Sequence, residues 1–157
     1  MGLLVRPARP EDLEVLVSFW SDMSSDPAVS GLIYPPTEEN KRKWRSWVLK
    51  VMEEDERQVI VTELDSRVVD FILFRVREGP LWSPHRIAVI HDLYVEPGSR
   101  RKGVASRLVE KALSVMKSRG ATLVLVTALV SNRPALAFYR RMGFREYRLT
   151  FAMELEP

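Results

Sequence analysis

The chain has no cysteine and only two histidines among its 157 residues. Without cysteine it can form neither a disulfide nor a cysteine-ligated metal site, and it has no thiol nucleophile. The two histidines stand far from any third metal ligand, so we predict no metal site. The sequence also lacks an apolar run of about 18 residues and a signal-peptide pattern, which predicts a soluble cytoplasmic protein with no membrane partner.

The chain also has no internal repeat, low-complexity tract or long linker, and its length predicts one domain over residues 1–157. The net charge is +3, but Lys and Arg dominate after residue 95, whereas Asp and Glu outnumber them before it. Nucleic acid is one interpretation of a basic half. Because these charges are spread through two helices and a strand, we expect no nucleic-acid partner and favour a small polyanionic ligand.

A turn rich in arginine and glycine joins a predicted strand to a predicted helix. The β-branched run over 87–95 has strand character, and apolar residues from Val104 onward recur at helical spacing. Between them stand Arg100, Arg101, Lys102 and Gly103. A helix N-terminus has unpartnered N–H groups and partial positive charge, and a glycine lets a phosphate approach the backbone closely. The segment therefore predicts a site for a phosphorylated ligand.

The details of this turn narrow the choice of ligand. The spacing from Gly98 to Gly103 imitates an ATP-binding loop, but Val104 and Ala105 stand where that motif needs Lys and Ser or Thr. The dinucleotide fingerprint of three glycines is also absent. What remains, Arg100-x-x-Gly103-x-Ala105, resembles the pyrophosphate loop of the GNAT superfamily of acetyl-CoA-dependent N-acetyltransferases. On this motif alone, a basic solvated helix start is the alternative.

A second motif strengthens the resemblance. The run from Asn132 to Phe144 is similar to the other hallmark of the superfamily, Asn-x-x-Ala-x-x-[Phe/Leu]-Tyr-x-x-x-Gly-Phe, at every fixed position. Pro134 suits the first turn of a helix, and Gly143 suits its end. The two motifs are in the family order and are separated by a helix and a strand. The chain is therefore identified as a member of this superfamily, with a sharp match over residues 85–148.

The resemblance implies a fold that the rest of the chain can form. Apolar patterns predict an opening strand at 3–6, two helices beginning near residues 10 and 37, a hairpin over 58–77, and a further strand near 123–127. The order βααβββαβαβ matches the GNAT fold, an α/β single domain with a mixed sheet and helices on both faces. Only residues 144–155 follow the last helix, so we expect the usual terminal hairpin to be shortened or reduced to one bent strand.

The resemblance also implies acetyl-CoA as the acetyl donor and a set of residues that bind it. In the family, the strand carrying Leu93 diverges from the next strand, and the free backbone groups in the gap bind the pantetheine arm. Asn132 is a candidate helix cap and a candidate pantetheine contact, and both roles can hold at once. The implied binding residues are Leu93, Tyr94, Val95, Arg100, Arg101, Lys102, Gly103, Val104, Ala105, Ser106, Asn132 and Tyr139.

Three residues are candidates for proton transfer. The resemblance implies that Tyr139 protonates the departing thiolate; the alternative is a tyrosine that only packs on the sheet. Residues 90–95 resemble a strand of the diamine acetyltransferases, in which a glutamate is the base, and His91 stands in its place. Asp92 is the other candidate base and is expected on the opposite sheet face. A chain of water molecules without a dedicated base is the third option.

We therefore predict an N-acetyltransferase, a transferase that moves the acetyl group to a primary amine by direct attack. The leading acceptor is a small cationic amine, and the alternatives are a peptide N-terminus or a lysine side chain. Thr127 stands where ribosomal-protein acetyltransferases carry glutamate, which argues against that branch. From another class, the chain could be a CoA-binding sensor without turnover. An exposed C-terminal strand would also be compatible with a homodimer.

Overall fold

The computed structural model describes residues 2–30, 35–100 and 102–157. Within those residues, five strands form one sheet in the order β1-β2-β3-β4-β5. They span Leu3–Pro7 (β1), Val59–Leu64 (β2), Arg67–Glu78 (β3), Arg86–Val95 (β4) and Leu123–Val126 (β5). Neighbours from β1 to β4 pair antiparallel, whereas β5 lies parallel to β4. The parallel pair requires a crossover connection, which a helix provides.

Helices connect the strands and pack on the sheet. α1 (Leu13–Ser24), α2 (Pro27–Ser30) and α3 (Glu38–Glu54) lie between β1 and β2, α4 (Val104–Ser118) joins β4 to β5, and α5 (Arg133–Arg141) follows β5. Thr37 directly precedes α3. Its hydroxyl accepts a hydrogen bond from the Asn40 N–H at 3.1 Å and so caps the helix. Among the residues described, every helix is too short or too polar to cross a bilayer.

The two faces of the sheet have separate apolar clusters. The face under α1 and α3 is aromatic and includes the buried side chains of Phe19, Trp20, Trp44, Phe71 and Tyr94. The face under α4 is mostly aliphatic and includes Ile72, Phe74, Ile90, Leu108 and Met116. Each such side chain contributes about 1.5–3 kcal/mol when fully buried, so the middle of the sheet is held from both sides.

A β-bulge interrupts β4 at His91. Leu73 on β3 is opposite Asp92, and the next residue, Phe74, is opposite Ile90, so His91 is an extra residue in β4. A bulge of this kind shifts the alternation of side chains between the two faces. The expectation that His91 and Asp92 lie on opposite faces holds only for an uninterrupted strand.

The mixed sheet and its helices confirm the predicted fold class, and the short helix α2 is an addition to the predicted order. The expected last strand is wrong for the chain as described, because residues 144–155 form neither a helix nor a strand. A strand needs a neighbour for its backbone hydrogen bonds. No neighbouring strand lies beside this segment within the described residues, and its large apolar side chains from Tyr147 onward are exposed.

Candidate active site

The site is built where β4 and β5 separate. The two strands pair from Ile87 opposite Leu123 to Ile90 opposite Val126, and β4 then continues to Val95 without a partner on that side in the described structure. The end of this parallel pair therefore opens into a cleft edged by backbone groups of β4. This is the separation that the family resemblance implied for the pantetheine arm.

The second half of β4 supplies the wall of the cleft, with its side chains turned into the core. The ring of Tyr94 is buried and stacks on Phe19 with 4.4 Å between ring centroids. Leu93 packs with the aliphatic cluster under α4. Tyr94 can therefore meet a ligand in the cleft only through its backbone, whereas Leu93 is half-buried. The Val95 carbonyl had been expected to be free. It instead accepts a hydrogen bond from the Arg100 Nε at 3.1 Å.

The predicted pyrophosphate loop leads directly into α4. Gly103 precedes the helix with φ +73°, a left-handed conformation that favours glycine, and a Cβ atom there would meet no atom within 4 Å. Val104 anchors the helix start in the core, whereas Ala105 and Ser106 are half-buried. The first helical bond runs from the Arg107 N–H to the Gly103 carbonyl at 3.3 Å. The preceding N–H groups therefore have no partner inside the helix.

The structure describes two of the three positively charged residues of this loop. Arg100 and Lys102 are exposed beside the start of α4. Arg101 lies outside the described residues. An exposed cation and open space at a helix N-terminus together form an arrangement that can hold a phosphate.

Asp92 of β4 is bonded to α3, and its charge acts on α5. Its carboxylate accepts a hydrogen bond from the Trp44 Nε1 of α3 at 3.3 Å. Burial raises the pKa of Asp92 to about 6, and the hydrogen bond from Trp44 opposes part of that rise. A carboxyl group with this pKa is ionised at neutral pH and still binds a proton readily. Asp92 therefore has the properties of a general base.

Tyr139 of α5 faces the same region. Burial raises the pKa of its phenol well above the usual range, and the negative charge of Asp92 adds to that rise. The charge of one candidate base on β4 thus acts on the candidate acid on α5, although the two residues are far apart in sequence. The phenol stays protonated at neutral pH, which is the state that a proton donor needs.

The Tyr139 ring is held by aromatic neighbours on its own segment. Phe138 and Phe144 each contact it edge to face with centroids 5.6 Å apart. The Phe144 N–H donates to the Tyr139 carbonyl at 3.0 Å, so the chain after α5 folds back onto it. At the other end of α5, the Asn132 side chain accepts from the Ala135 N–H at 3.4 Å. Asn132 thus caps α5. Its contact with the pantetheine arm stays a prediction.

His91 lies on the same side of the sheet as Asp92, so the expectation of opposite faces is wrong. Its ring meets that of Trp47 on α3 edge to face, with centroids 5.1 Å apart, while Trp44 of the same helix binds Asp92. The bulge explains this, because it inserts a residue between the two. Burial lowers the pKa of His91, and the charges of Arg75 and Arg77 lower it further.

The two tryptophans of α3 are site residues that the sequence did not single out. The apolar pattern predicted only the helix that carries Trp44 and Trp47, because a helical period carries no information on which polar group a helix will meet. Their spacing of three residues places both on one face of α3, toward β4.

The matching sequence model is that of the Acetyltransferase (GNAT) family, over residues 16–144. The chain belongs to this family. An uncharacterized N-acetyltransferase of Methanocaldococcus jannaschii is 33% identical over 107 residues, which are 68% of this chain and 47% of that protein. The chain thus spans about half the length of that relative.

Two further comparisons concern named activities. An N-alpha-acetyltransferase of Sulfurisphaera tokodaii is 28% identical over 104 residues, 62% of each protein. A solved aminoglycoside N-acetyltransferase in complex with CoA is similar with a TM-score of 0.76 at 14% identity, and it covers 98% of this chain and 95% of that one. At this identity, the structural likeness shows the fold alone.

The loop assignment can be tested with Gly103→Glu. We expect the affinity for acetyl-CoA to fall by about 100-fold or more, because like charges about 4 Å apart near a surface repel by about 4 kcal/mol. Calorimetric titration measures the affinity, and circular dichroism checks the fold, since the left-handed backbone costs a non-glycine residue about 1–2 kcal/mol. Gly98→Glu is the control, since it adds the same charge where no atom lies within 4 Å of a Cβ. Equal affinity in a folded Gly103→Glu variant would refute the assignment.

Proposed function

We propose that this chain transfers the acetyl group of acetyl-CoA to a primary amine by direct attack. The observation that carries the proposal is the cleft where β4 leaves β5, in which Trp44 holds the carboxylate of Asp92 and the charge of that carboxylate acts on the phenol of Tyr139. An ionised carboxylate and a protonated phenol are the two groups that proton transfer in this reaction needs. Family membership makes acetyl-CoA the expected donor.

The residues present fit a CoA diphosphate at the start of α4. The open space at Gly103 allows close approach to the backbone, the first-turn N–H groups can donate, and Lys102 adds positive charge. Arg100 donates its Nε–H to the Val95 carbonyl, and the four other N–H groups of its guanidinium can donate to a phosphate. When bound, the donor supplies a thioester whose carbonyl carbon accepts the amine.

The proton chemistry follows from the pKa values of the two side chains. An amine with a pKa of ~10.4 is mostly protonated at neutral pH, and freeing its lone pair costs roughly 4–5 kcal/mol. The ammonium first loses one proton to solvent. Asp92 then accepts a second proton from the attacking nitrogen, directly or through water, as the new C–N bond forms. The C–S bond breaks, and Tyr139 gives its proton to the leaving sulfur. Solvent then carries a proton from Asp92 to Tyr139 and restores both groups.

For the acceptor, we propose a small cationic amine. The site lies beside the half-buried indole ring of Trp47, and an aromatic face with a nearby carboxylate attracts alkylammonium groups. A peptide N-terminus or a lysine side chain is the second candidate. The N-alpha-acetyltransferase of S. tokodaii, which is similar over 62% of this chain, supports it.

The test is release of free CoA from acetyl-CoA in the presence of polyamines, amino acids, aminoglycosides and peptides. Saturable turnover with a small amine supports the leading proposal, and turnover only with peptides supports the second candidate. Tight binding of acetyl-CoA without turnover of any amine would instead indicate a CoA-binding sensor.

Tyr139→Phe tests the general acid. The substitution keeps the ring and its contacts with Phe138 and Phe144, so folding and CoA affinity should change little. We expect kcat to fall by about 100-fold or more, as is typical for loss of a general acid. The measurement is steady-state turnover together with a single-turnover experiment that isolates the chemical step. An unchanged chemical step would make Tyr139 a packing residue.

The pH dependence of kcat tests the base. Only ionised Asp92 accepts a proton, so kcat should rise with pH through its pKa of about 6 and then level off. No fall is expected up to about pH 9, because burial and the charge of Asp92 hold the pKa of Tyr139 above its usual value of ~10. Asp92→Asn should remove the rise and lower kcat by about 100-fold.

His91→Ala is the matched control for that experiment, because His91 is the neighbouring residue on the same side of the sheet and its lowered pKa also falls in the acidic range. We expect this variant to keep the rise in kcat with pH. If His91→Ala loses the rise and Asp92→Asn keeps it, the base is His91. If both variants keep it, a water chain without a dedicated base carries the proton.

A further inference from the structure

A buried carboxylate that the proposed mechanism does not use lies near one end of β3. It belongs to Asp70, whose exposed fraction is 0%. Neither of its oxygens has a hydrogen-bond partner among the described residues, and the hydroxyl of Thr62, opposite it on β2, has none either. A buried polar group without a partner loses its hydration without compensation, and the loss is largest when the group is charged. The ionised form of Asp70 is therefore unfavourable in this position.

The pairing of the strands places Asp70 at the end of the sheet where α4 begins. The guanidinium of Arg119, directly after α4, donates to the Gln58 side-chain oxygen at 3.0 Å, and the same oxygen accepts the Val76 N–H of β3 at 3.2 Å. The end of α4 therefore lies at the level of Val76. The start of α4 lies toward the other end of β3, where Asp70 is opposite Val95, the last residue of β4.

Asp70 is on the sheet face that α4 covers. Side chains alternate between the two faces along a strand, and Ile72, two residues after Asp70, belongs to the aliphatic cluster under α4. Leu108, one turn into α4, belongs to the same cluster. The carboxylate of Asp70 therefore lies beneath the helix start that we propose for the CoA diphosphate. His91 and Asp92 lie on the other face, toward α3.

No opposite charge compensates Asp70 within the described structure. The residues opposite it on the neighbouring strands and the first buried residues of α4 are uncharged; they are Thr62, Val95, Val104 and Leu108. Burial raises the pKa of Asp70 to about 6, the polar groups of Thr62 oppose part of that rise, and no charged residue among those described contributes to it. The protonation of Asp70 is therefore sensitive to any charge that is added nearby.

We propose that Asp70 is a proton-binding site coupled to donor binding, because the diphosphate at the start of α4 and the ionised carboxylate beneath it repel one another. The inference rests on the diphosphate site of the proposed function. Both anions interact with the same partial positive charge of the helix start, and the core between them screens their repulsion poorly. Acetyl-CoA therefore binds with uptake of a proton by Asp70.

The coupling is reciprocal, which fixes its sign and its pH range. The factor by which ionisation of Asp70 weakens donor binding equals the factor by which the donor strengthens proton binding. Donor affinity is highest where Asp70 is already neutral, and it falls as the pH rises and Asp70 ionises in the free protein. A coupling of about 10-fold raises the pKa of Asp70 from about 6 to about 7, so about half a proton is taken up for each donor bound at about pH 6.5.

Calorimetric titration of the full chain with dephospho-CoA measures both effects. This probe keeps the diphosphate but lacks the 3′-phosphate, whose own titration near pH 6 would otherwise add to the signal. The affinity should fall by about 10-fold between about pH 5 and about pH 8. Heats measured in buffers of different ionisation enthalpy give the number of protons taken up.

Asp70→Asn removes the charge at nearly constant volume. We expect its affinity to match the low-pH affinity of the unmodified chain and to lose the fall with pH and the proton uptake. Asp92→Asn is the matched control, because it removes the other buried carboxyl with a pKa of about 6, on the opposite face, and should keep both effects. Thr62→Val raises the pKa of Asp70 further and should move the fall to higher pH, which also tests the proposal if Asp70→Asn does not fold.

Each outcome distinguishes this proposal from the donor site on which it rests. Dephospho-CoA that binds with an affinity independent of pH, or a fall with pH that survives in Asp70→Asn, would overturn the proton coupling and leave the diphosphate site in place. A fall that is lost only in Asp92→Asn would assign the proton to Asp92. No binding of dephospho-CoA at any pH would refute the diphosphate site and the coupling together. Circular dichroism confirms that each variant is folded.

Discussion

The site depends on one constraint, the short parallel pairing of β4 and β5. The strands share only the stretch from Ile87 to Ile90, so β4 continues past its partner and leaves a cleft. The bulge at His91 lies just beyond the last pair and resets which residues face α3. α4 begins after the same strand ends, so the proposed anion-binding helix start and the cleft belong to one chain segment. Separation, bulge and helix start are consecutive along the chain, so the proposed donor site lies close in sequence to Asp92.

The aromatic cluster under α1 and α3 gives the cleft a rigid wall. Tyr94 is stacked on Phe19, and Trp44 stacks on Trp20 with 5.6 Å between ring centroids. The indole of Trp44 is thus fixed by packing while its N–H holds the carboxylate of Asp92. A buried carboxylate with a single donor keeps a raised pKa, whereas several donors would lower it. The core therefore sets both the position and the basicity of that group.

The sequence predicted the parts of the site that depend on local pattern. The loop before Val104 and the run from Asn132 to Phe144 are continuous motifs, and the helices they predicted are present. It could not predict the bulge, because a shift in pairing register is a property of two strands. It could not predict that Trp44 would bind Asp92, since an apolar stripe does not identify its partner. The last strand failed for the same reason, because a strand needs a neighbouring edge.

In the proposed mechanism, backbone groups bind the donor and a side chain gives the proton. The structure holds these two parts of the site to different degrees. Donor binding rests on N–H groups of α4, whose first residue, Val104, is anchored in the core. Proton donation rests on Tyr139, which is carried by a helix without a buried residue. That helix is held through Phe138, Met142 and Phe144, half-buried against the aliphatic cluster. The position of Tyr139 therefore depends on these three contacts, whereas the proposed diphosphate site depends on a helix start that the core holds in place.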